Sequence, residues 1–466
     1  MNKTLLFSAF SALLYLTGCT NHDVDNPGSY TKQETDNIWI YKQMKTYYLW
    51  SNEMPAQANT DLKSTSSAYF FNLLRRPEQV KNNVIFSSIT ESSSNAKSKA
   101  DAPDASETYV SGLGFNARFI EIPVDNISHY AVQVMYIVPG SPAHNAGLKR
   151  GDLIKKYNGS TVSNSSDVSR IMSQTSVSLT LCDVYGEETE TVSITSATYA
   201  NTPILASLVL QAEDKNIGYL MYNEFSYGSN YVFLNELKNA FRFFKQNEVN
   251  ELVLDLRYNP GGYVSAATTL ASMIVGRSAV ANKEVFLIQE YNDIYSEQLK
   301  SKNSEYNLTR FSLTNDELDE CNLDLTSIHI IALTNTASAS ELIIHCLKPY
   351  MDVYHYGDIT YGKNLGSVQI SDNSGTVEWI LQPIVSRVHD CNNISGYENG
   401  ITPDKTIKEN YALIYPFGDH REVILNTVLQ NIITAKSVRY TIPTDEVNFE
   451  INVIEDLPFI DKGVIN

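Results

Sequence analysis

The stretch Thr336–Glu341, with the sequence TASASE, begins three residues after the end of the apolar run Ile328–Leu333. A short apolar run followed by small and polar residues predicts a strand that leads into a helix beginning near Ser338. A serine at the start of a helix lies beside free backbone N–H groups and the positive end of the helix dipole. Acyl-transfer chemistry needs a nucleophile and oxyanion donors at such a place. Ser338 is therefore a candidate nucleophile.

The same stretch also has a structural interpretation. Ser338 and Glu341 form the pattern of a capping box, in which the serine accepts from an early amide and the glutamate reaches back. Downstream, Thr360–Lys363 (TYGK) places a lysine on a glycine turn after the predicted strand Val353–Tyr356. Lys363 is either a catalytic base or an ordinary turn lysine, and the rest of the chain has to decide between the two.

Length and composition limit the class of protein. A chain of 466 residues predicts about three domains. A hydrophobic content of 43% is enough for large cores, and a net charge of −18 without a long basic stretch argues against a nucleic-acid partner. We expect no cofactor. We also expect no metal site, because the cysteine spacing fits no zinc pattern. Disulfide pairing stays open among four cysteines: Cys182, Cys321, Cys346 and Cys391.

The N-terminus predicts the compartment. Lys3 precedes the apolar run Leu5–Tyr15, which has the length of a signal-peptide core and is too short to span a membrane. The following Leu16–Cys19 (LTGC) resembles a bacterial lipobox. The resemblance implies a lipoprotein signal peptide over residues 1–18, a lipidated Cys19, and a tether over residues 19–30. Several acyl chains on one residue hold a protein stably on a bilayer. We therefore expect a lipid-anchored protein of the bacterial cell envelope, on the periplasmic side or the cell surface; a plain secretory signal is the alternative.

Two smaller units precede the part of the chain that contains Thr336–Glu341. Residues 31–100 are expected to form a helical N-terminal domain and linker that begins at a capping box, Thr31–Glu34. Residues 108–197 contain Gly112–Phe115 (GLGF), Pro139–Ala143 (PGSPA) and Ala146–Ile154 (AGLKRGDLI) in that order, and they resemble a PDZ domain, which is mostly β.

The resemblance implies a peptide-binding role for the second unit. Glycines let a loop turn its N–H groups toward a carboxylate, and the following strand accepts an added peptide strand. A free polypeptide C-terminus would bind at Gly112, Leu113, Gly114 and Phe115, beside a helix over residues 166–172. The alternative is a PDZ domain used only for packing or regulation within the chain.

The third unit carries the chemistry. From about Asn216 predicted strands and helices alternate, which favours an α/β core over residues 203–435, followed by a C-terminal extension over residues 436–466. Four motifs occur in order: Asp255–Gly262 (DLRYNPGG), Thr336–Glu341, Thr360–Lys363 and Gly400–Asp404 (GITPD). Together they resemble the C-terminal processing peptidases, the S41 family of serine proteases. The fold class implied is a multidomain α/β protein with a ClpP/crotonase-like peptidase core.

The resemblance also assigns roles to residues. It makes Ser338 the nucleophile and Lys363 the base of a Ser–Lys dyad, with the backbone amides of Ala339 and of Gly261 or Gly262 as the oxyanion hole. A free lysine titrates near ~10.4 and must be neutral to act as a base. Lowering its pKa to about 7–8 requires burial. We therefore expect Lys363 to be buried rather than solvated.

The residue that orients the lysine is ambiguous. The family has a Gly-Lys-Gly-x-x-Gln run, whereas the run from Lys363 to Gln369 is two residues longer here. Gln369, Asn364 or a backbone carbonyl are the candidates. Asp255 and Arg257 are interpreted as structural.

These observations predict an envelope-tethered serine endopeptidase that captures unfolded or C-terminally exposed polypeptides and cuts them in the α/β core. One rival is a catalytically inactive, peptidase-like lipoprotein that only binds polypeptide termini. The other is a serine–histidine hydrolase that uses His345, which lies seven residues after Ser338, or another histidine.

Overall fold

A computed structural model describes residues 30–79, 81, 83–92, 108–124, 127–212, 215–372, 374–409, 414–434 and 452–455. The predicted signal peptide, Cys19 and most of the tether lie outside these residues. Within them, no helix combines the length and the apolar character needed to cross a bilayer. The described part divides into a helical N-terminal region, a PDZ-like β unit and an α/β core, and the predicted multidomain α/β class is confirmed.

The N-terminal region is built on two helices, α1 (Lys32–Tyr47) and α2 (Ser66–Leu73). Helix α1 begins with the predicted capping box, because Thr31 and Glu34 cap one another reciprocally. The region ends in strand β1 (Ser88–Glu91), which pairs with a strand from the far end of the core. It is therefore packed on the core rather than separate from it.

The second unit is built on an antiparallel sheet. Its elements are β2 (Tyr109–Gly112), β3 (Phe115–Val124), β4 (Ile127–Ile137), α3 (Pro142–Asn145), β5 (Leu153–Tyr157), β6 (Ser160–Thr161), α4 (Ser166–Met172), β7 (Ser176–Cys182), β8 (Glu188–Thr195) and β9 (Ala197–Ala200). Strands β3, β4, β5, β7 and β8 pair in that order, with β6 on β5, while β2 pairs with β9. The predicted helix over residues 166–172 is confirmed as α4.

The core is a six-stranded sheet in the order β10-β11-β12-β15-β16-β21, parallel from β11 onward. Its elements are β10 (Ile204–Ala212), β11 (Lys215–Tyr222), α5 (Val232–Gln246), β12 (Glu251–Asp255), α6 (Val264–Ile274), α7 (Arg277–Ala281), β15 (Ser327–Ala332), α10 (Ala339–Cys346), β16 (Asp352–Gly357), β21 (Lys405–Thr406) and α11 (Val423–Thr434). Helices cover both faces of this sheet, and alternate residues of each strand point to opposite faces. In β11, Leu220 packs toward α5 and α6, while Tyr219 packs toward α11.

Between α7 and β15, residues 283–325 form an insertion with its own secondary structure. It contains β13 (Val285–Tyr291), α8 (Asp293–Lys300), β14 (Leu308–Arg310) and α9 (Asn315–Cys321). Strands β14, β13, β20 (Ile384–Asp390) and β17 (Leu365–Ser367) form a second sheet. A third sheet joins β1 to β19 (Trp379–Gln382) and β18 (Ile370–Ser371). These small sheets hold the N-terminal region against the segment that carries Lys363.

Candidate active site

Ser338 lies where strand β15 passes into helix α10, at the carboxyl edge of the parallel sheet. The helix begins at Ala339 and Ser338 is its N-cap, which confirms the predicted start. The Ser338 backbone has φ 54° and ψ −117°, a conformation that L-residues adopt rarely. Strained backbone of this kind persists only where surrounding contacts hold it, and it clusters at functional sites.

Glu341 supplies those contacts. Its side chain is fully buried and accepts four hydrogen bonds. Oε2 accepts from the backbone N–H of Ser338 at 2.9 Å and of Lys363 at 2.8 Å. Oε1 accepts from the Thr360 hydroxyl at 2.5 Å and the Gly362 N–H at 2.7 Å. The Glu341 carboxylate therefore links the turn at Ser338 to the loop Thr360–Lys363, called the lysine loop below.

Burial and hydrogen bonding act in opposite directions on this carboxyl group. Desolvation by burial raises the pKa of Glu341, and the donors from Thr360, Lys363, Gly362 and Ser338 lower it, which leaves the pKa at about 7. Sequence reasoning identified the residue as half of a capping box. The contact with the lysine loop was missed because nothing local in the sequence signals it.

Replacing Glu341 by glutamine tests this tie. The amide has the shape of the carboxyl group, but its NH₂ cannot accept, so two buried donors lose their acceptor in either orientation. These are the N–H groups of Ser338 and Lys363 in one orientation, and the Gly362 N–H and the Thr360 hydroxyl in the other. Leaving two buried donors unsatisfied costs about 2 to 6 kcal/mol. We expect Glu341→Gln to lower the free energy of unfolding by that amount, measured by urea denaturation. Glu297→Gln, at a carboxylate that is 78% exposed, serves as the control; equal stability of the two variants would contradict the role.

Lys363 is buried, as the sequence analysis required of a base. Its residue is 1% exposed, and its Nζ lies 5.0 Å from the centre of the Phe86 ring. The loop that carries it packs against the Gly400–Asp404 motif, because a Cβ on Gly362 would stand 2.6 Å from the Gly400 nitrogen. Thr360 also exchanges hydrogen bonds with Ile401.

The N-terminal region contributes directly to this loop. The Gln79 side-chain amide donates to the carbonyl of Gly362 at 2.7 Å and to that of Glu398 at 3.2 Å. Lys81 Nζ donates to the Thr360 carbonyl at 3.2 Å. Sequence reasoning missed these residues, since they lie about 280 positions away from the loop they support and belong to no motif.

The glycine turn after β12 lies against Ser338. Gly261 has φ 109°, and a Cβ there would stand 2.8 Å from Ser338 Cβ. The Gly261 N–H already donates to Asn259 Oδ1 at 2.8 Å. Among the described residues, the N–H groups of Gly262 and Ala339 have no acceptor. Of the two glycines considered for the oxyanion hole, Gly262 therefore has the available donor, and Gly261 supplies the close approach.

Two candidates for orienting the lysine lie in different surroundings. Gln369 is exposed, between β17 and β18, which argues against contact with a buried ammonium. Asn364 is buried, and its Nδ2 donates to Ser395 Oγ at 2.9 Å. The Asn364 side chain thus anchors a neighbouring loop.

His345 does not face the serine. Its Nε2 lies 2.9 Å from the Ile394 carbonyl, and its ring packs on Tyr397 with centroids 4.8 Å apart. The geometry gives no support to a serine–histidine pair on this helix. No group of three or more His, Cys, Asp or Glu side chains in the described residues could hold a metal ion, and the four cysteines described there are free thiols.

An ion-pair network lies at the end of β12, before the glycine turn. It includes Asp255 and Arg257, the two residues that the sequence analysis interprets as structural. Arg257 is fully buried and pairs with Asp255, Glu409 and Glu422 at 2.8 to 3.0 Å. Arg150 of the PDZ-like unit enters the same network, donating to Glu409 at 2.7 Å. The network joins the PDZ-like unit to the α/β core beside the glycine turn that follows β12.

Acid should weaken this junction. Burial opposes ionisation of Glu409, but attraction to Arg150, Arg257 and Arg118 and the Tyr258 hydroxyl overcome it and lower the pKa of Glu409 to about 2. Its ordinary value is near 4.5. A carboxyl group whose pKa is lower in the folded than in the unfolded protein stabilises the fold at any pH above its unfolded-state pKa. That stabilisation is lost as the pH falls from the unfolded-state pKa through the folded-state pKa. The difference between the two pKa values of Glu409 corresponds to a contribution on the order of 3 kcal/mol to the free energy of unfolding.

We therefore expect the unfolding temperature to fall steeply between about pH 4.5 and pH 2, and to fall less steeply in Glu409→Gln. Calorimetry of both proteins across this range measures the difference. The same pH dependence in both would contradict the assigned contribution of Glu409.

The predicted peptide-binding loop lies between β2 and β3. Leu113 and Phe115 are buried, and a Cβ on Gly114 would stand 2.1 Å from Ser141 Cβ. The Ser141 hydroxyl donates to the Gly114 carbonyl at 2.9 Å. The loop is thus held at the start of β3, with α4 packed against that strand.

Comparison with known proteins agrees with this arrangement. Residues 216–407 match the model of peptidase family S41, residues 36–88 that of the peptidase S41 N-terminal domain, and residues 133–183 that of the PDZ domain. A probable CtpA-like serine protease of Staphylococcus saprophyticus is 24% identical over 287 residues, covering 60% of this chain and 51% of that protein. The Staphylococcus aureus (strain COL) protein of the same name is 27% identical over 286 residues, covering 59% of this chain and 50% of that protein.

The chain therefore spans about half the length of the curated relatives it matches. Among solved structures, a putative S41 protease from Bacteroides fragilis superimposes with a TM-score of 0.70 at 26% identity, covering 86% of this chain and 98% of that one. The three family models together match a part of each of the three units described above.

Proposed function

We propose, from the premise that this chain belongs to peptidase family S41, that it is a serine endopeptidase with Ser338 as nucleophile and Lys363 as general base. Its substrates would be unfolded or C-terminally exposed polypeptides, captured by the PDZ domain. An anchor at Cys19 would hold it in the bacterial cell envelope.

One observation carries the proposal. The same oxygen, Glu341 Oε2, accepts the N–H of Ser338 at 2.9 Å and the N–H of Lys363 at 2.8 Å. Two motifs that are 25 positions apart in the sequence are thus held beside one another by a buried group. Burial of Lys363 favours its neutral form, which a base requires.

The chemistry follows from this arrangement. Lys363 Nζ accepts the proton of Ser338 Oγ as the oxygen attacks the scissile carbonyl carbon. The negative charge that develops on the carbonyl oxygen is held by the N–H groups of Gly262 and Ala339, each worth on the order of 3 kcal/mol. The lysine ammonium then protonates the leaving amine, and the C–N bond breaks to leave an ester on Ser338.

Hydrolysis of that ester follows the same two steps, with water as the nucleophile and Ser338 Oγ as the leaving group. A water molecule gives a proton to Lys363 Nζ as its oxygen attacks the ester carbonyl. Collapse of the second tetrahedral intermediate returns the proton to Ser338 Oγ and releases the new carboxylate. The base is thus regenerated without a cofactor.

The direct test uses an unfolded protein. The chain without residues 1–19 is incubated with β-casein, and new termini are mapped by mass spectrometry. We expect internal cleavages that accumulate linearly with time. Binding of β-casein without new termini would replace the proposal by the binding-only rival, and sequential loss of terminal residues would exclude an endopeptidase.

A further inference from the structure

The C-terminal extension contains a strand, β22 (Asn452–Glu455), that pairs with β3 of the PDZ domain. Strand β3 has β4 on its other side, so the sheet runs β22-β3-β4-β5-β7-β8. The chain therefore occupies the β3 edge with its own backbone. A PDZ domain uses that edge to add a peptide strand. The aligned residues are Asn452 with Glu121, Val453 with Ile120 and Glu455 with Phe119.

The direction of β22 is that of a bound peptide. The Gly112–Phe115 loop lies at the beginning of β3, so a ligand whose carboxylate reaches that loop must run antiparallel to β3. Strand β22 is antiparallel, and its partners descend from Glu121 to Phe119, toward the loop. Eleven further residues follow Glu455 in the sequence.

The edge also needs an occupant. Phe119 packs into the main PDZ core and Ile120 into a second cluster on the opposite face, so β3 is apolar on both sides. An unpaired strand of this kind exposes a row of N–H and C=O groups that templates association. Main-chain hydrogen bonds supply most of the attraction in strand addition, so an internal segment without a terminal carboxylate can satisfy the edge.

We propose that Asn452–Glu455 is the resident occupant of this edge within the same molecule, and that polypeptides must displace it to be captured. A tethered segment competes at an effective concentration on the order of millimolar. A ligand then binds with an affinity reduced by the fraction of molecules whose edge is open. The consequence for cleavage rests on the proposed protease function, whereas the strand competition does not.

The first test measures competition by binding. The probe is a synthetic peptide of residues 448–466 with an N-terminal fluorophore, and all proteins carry Ser338→Ala so that the probe is not cut. We expect the chain that ends at residue 447 to bind the probe with a Kd at least about tenfold lower than the full-length chain, given the millimolar local competitor. Equal Kd values would overturn the proposal.

A second pair of variants leaves the chain full length. Asn452→Pro with Val453→Pro removes two backbone donors from β22, since proline has no N–H. Asn452→Ala with Val453→Ala keeps both donors. Hydrogen exchange of the β3 amides should accelerate in the proline variant and stay slow in the alanine variant. Slow exchange in both would show that the segment does not hold the edge.

Two further measurements distinguish the remaining outcomes: the dependence of the probe Kd on protein concentration, and the cleavage of β-casein. If the segment comes from a second copy, the Kd of the full-length chain for the probe will change with protein concentration, which contradicts occupancy within one molecule. If no form cleaves β-casein but truncation still tightens probe binding, the proposed function fails and the strand competition stands. If β-casein is cleaved and truncation changes neither the probe Kd nor β3 exchange, the function stands and this inference fails.

Discussion

Replacing Ser338 by alanine is expected to abolish peptide-bond cleavage, with a fall in kcat of at least about 10⁴-fold, because the loss of a nucleophile removes the acyl-enzyme route. The neighbouring Ser340 cannot substitute, since its hydroxyl is buried and donates to the Asn259 carbonyl at 3.1 Å. Alanine keeps the Cβ of serine, so the strain of the backbone at φ 54° is unchanged and the fold should be retained. The initial rate of β-casein cleavage measures the effect.

The control for this variant is Ser301→Ala, at an exposed serine after helix α8. It should cleave at the wild-type rate. Both variants should unfold at the wild-type temperature. A Ser338→Ala protein that is folded and retains more than about a hundredth of the activity would contradict the assignment, because residual catalysis without a nucleophile is far smaller.

Replacing Lys363 by arginine should be nearly as damaging, with a fall in kcat of about 10²–10⁴-fold, the range typical of a lost general base. Arginine carries a positive charge, and its guanidinium can stack on the Phe86 ring that Lys363 Nζ faces. Its guanidinium cannot be deprotonated in a protein. A large loss in Lys363→Arg therefore separates proton transfer from a merely structural charge.

The pH profile gives a second readout for this lysine. In the wild-type protein kcat/KM should rise with pH as Lys363 loses its proton, since only the neutral amine accepts. Lys348→Arg, at an exposed lysine that follows α10, is the matched control and should leave both rate and profile unchanged. Retention of activity in Lys363→Arg would assign the proton transfer to another group.

Local features of the site were predictable from the sequence. The alternation of apolar runs and helical segments located the strand ends, and parallel strands bring their carboxyl ends to one edge. Helix α10 accordingly begins at Ala339, and the glycine turn after β12 lies against Ser338. Burial of Lys363 followed from the chemistry expected of it, because a solvated lysine is not a base near neutral pH.

The remaining features depend on contacts between distant parts of the chain. The capping-box pattern identified Glu341, but its bonds to Thr360 and Lys363 depend on how the next strand returns to the sheet edge. The Gln79 contact crosses 283 positions to Gly362 and is not encoded in any periodicity. Strand β22 was not predicted either, since a four-residue apolar and polar segment carries no signal of its partner.

The exposed position of Gln369 has a related cause. The longer run after Lys363 forms strand β17, which pairs with β20, and this pairing carries Gln369 away to the surface. Two extra residues in an extended segment move a side chain by about 6.6 Å along the chain, since each residue adds about 3.3 Å.

The most direct test of the central claim, that Lys363 activates Ser338 as a nucleophile, is covalent labelling by a fluorophosphonate. The wild-type chain, Lys363→Arg and Lys348→Arg are treated in parallel, and the modified residue is identified by peptide mass spectrometry. We predict a single adduct, on Ser338, that forms at the same rate in wild type and Lys348→Arg and at least about 10²-fold more slowly in Lys363→Arg. An adduct on another residue, or undiminished labelling of Ser338 in Lys363→Arg, would contradict the Ser–Lys mechanism.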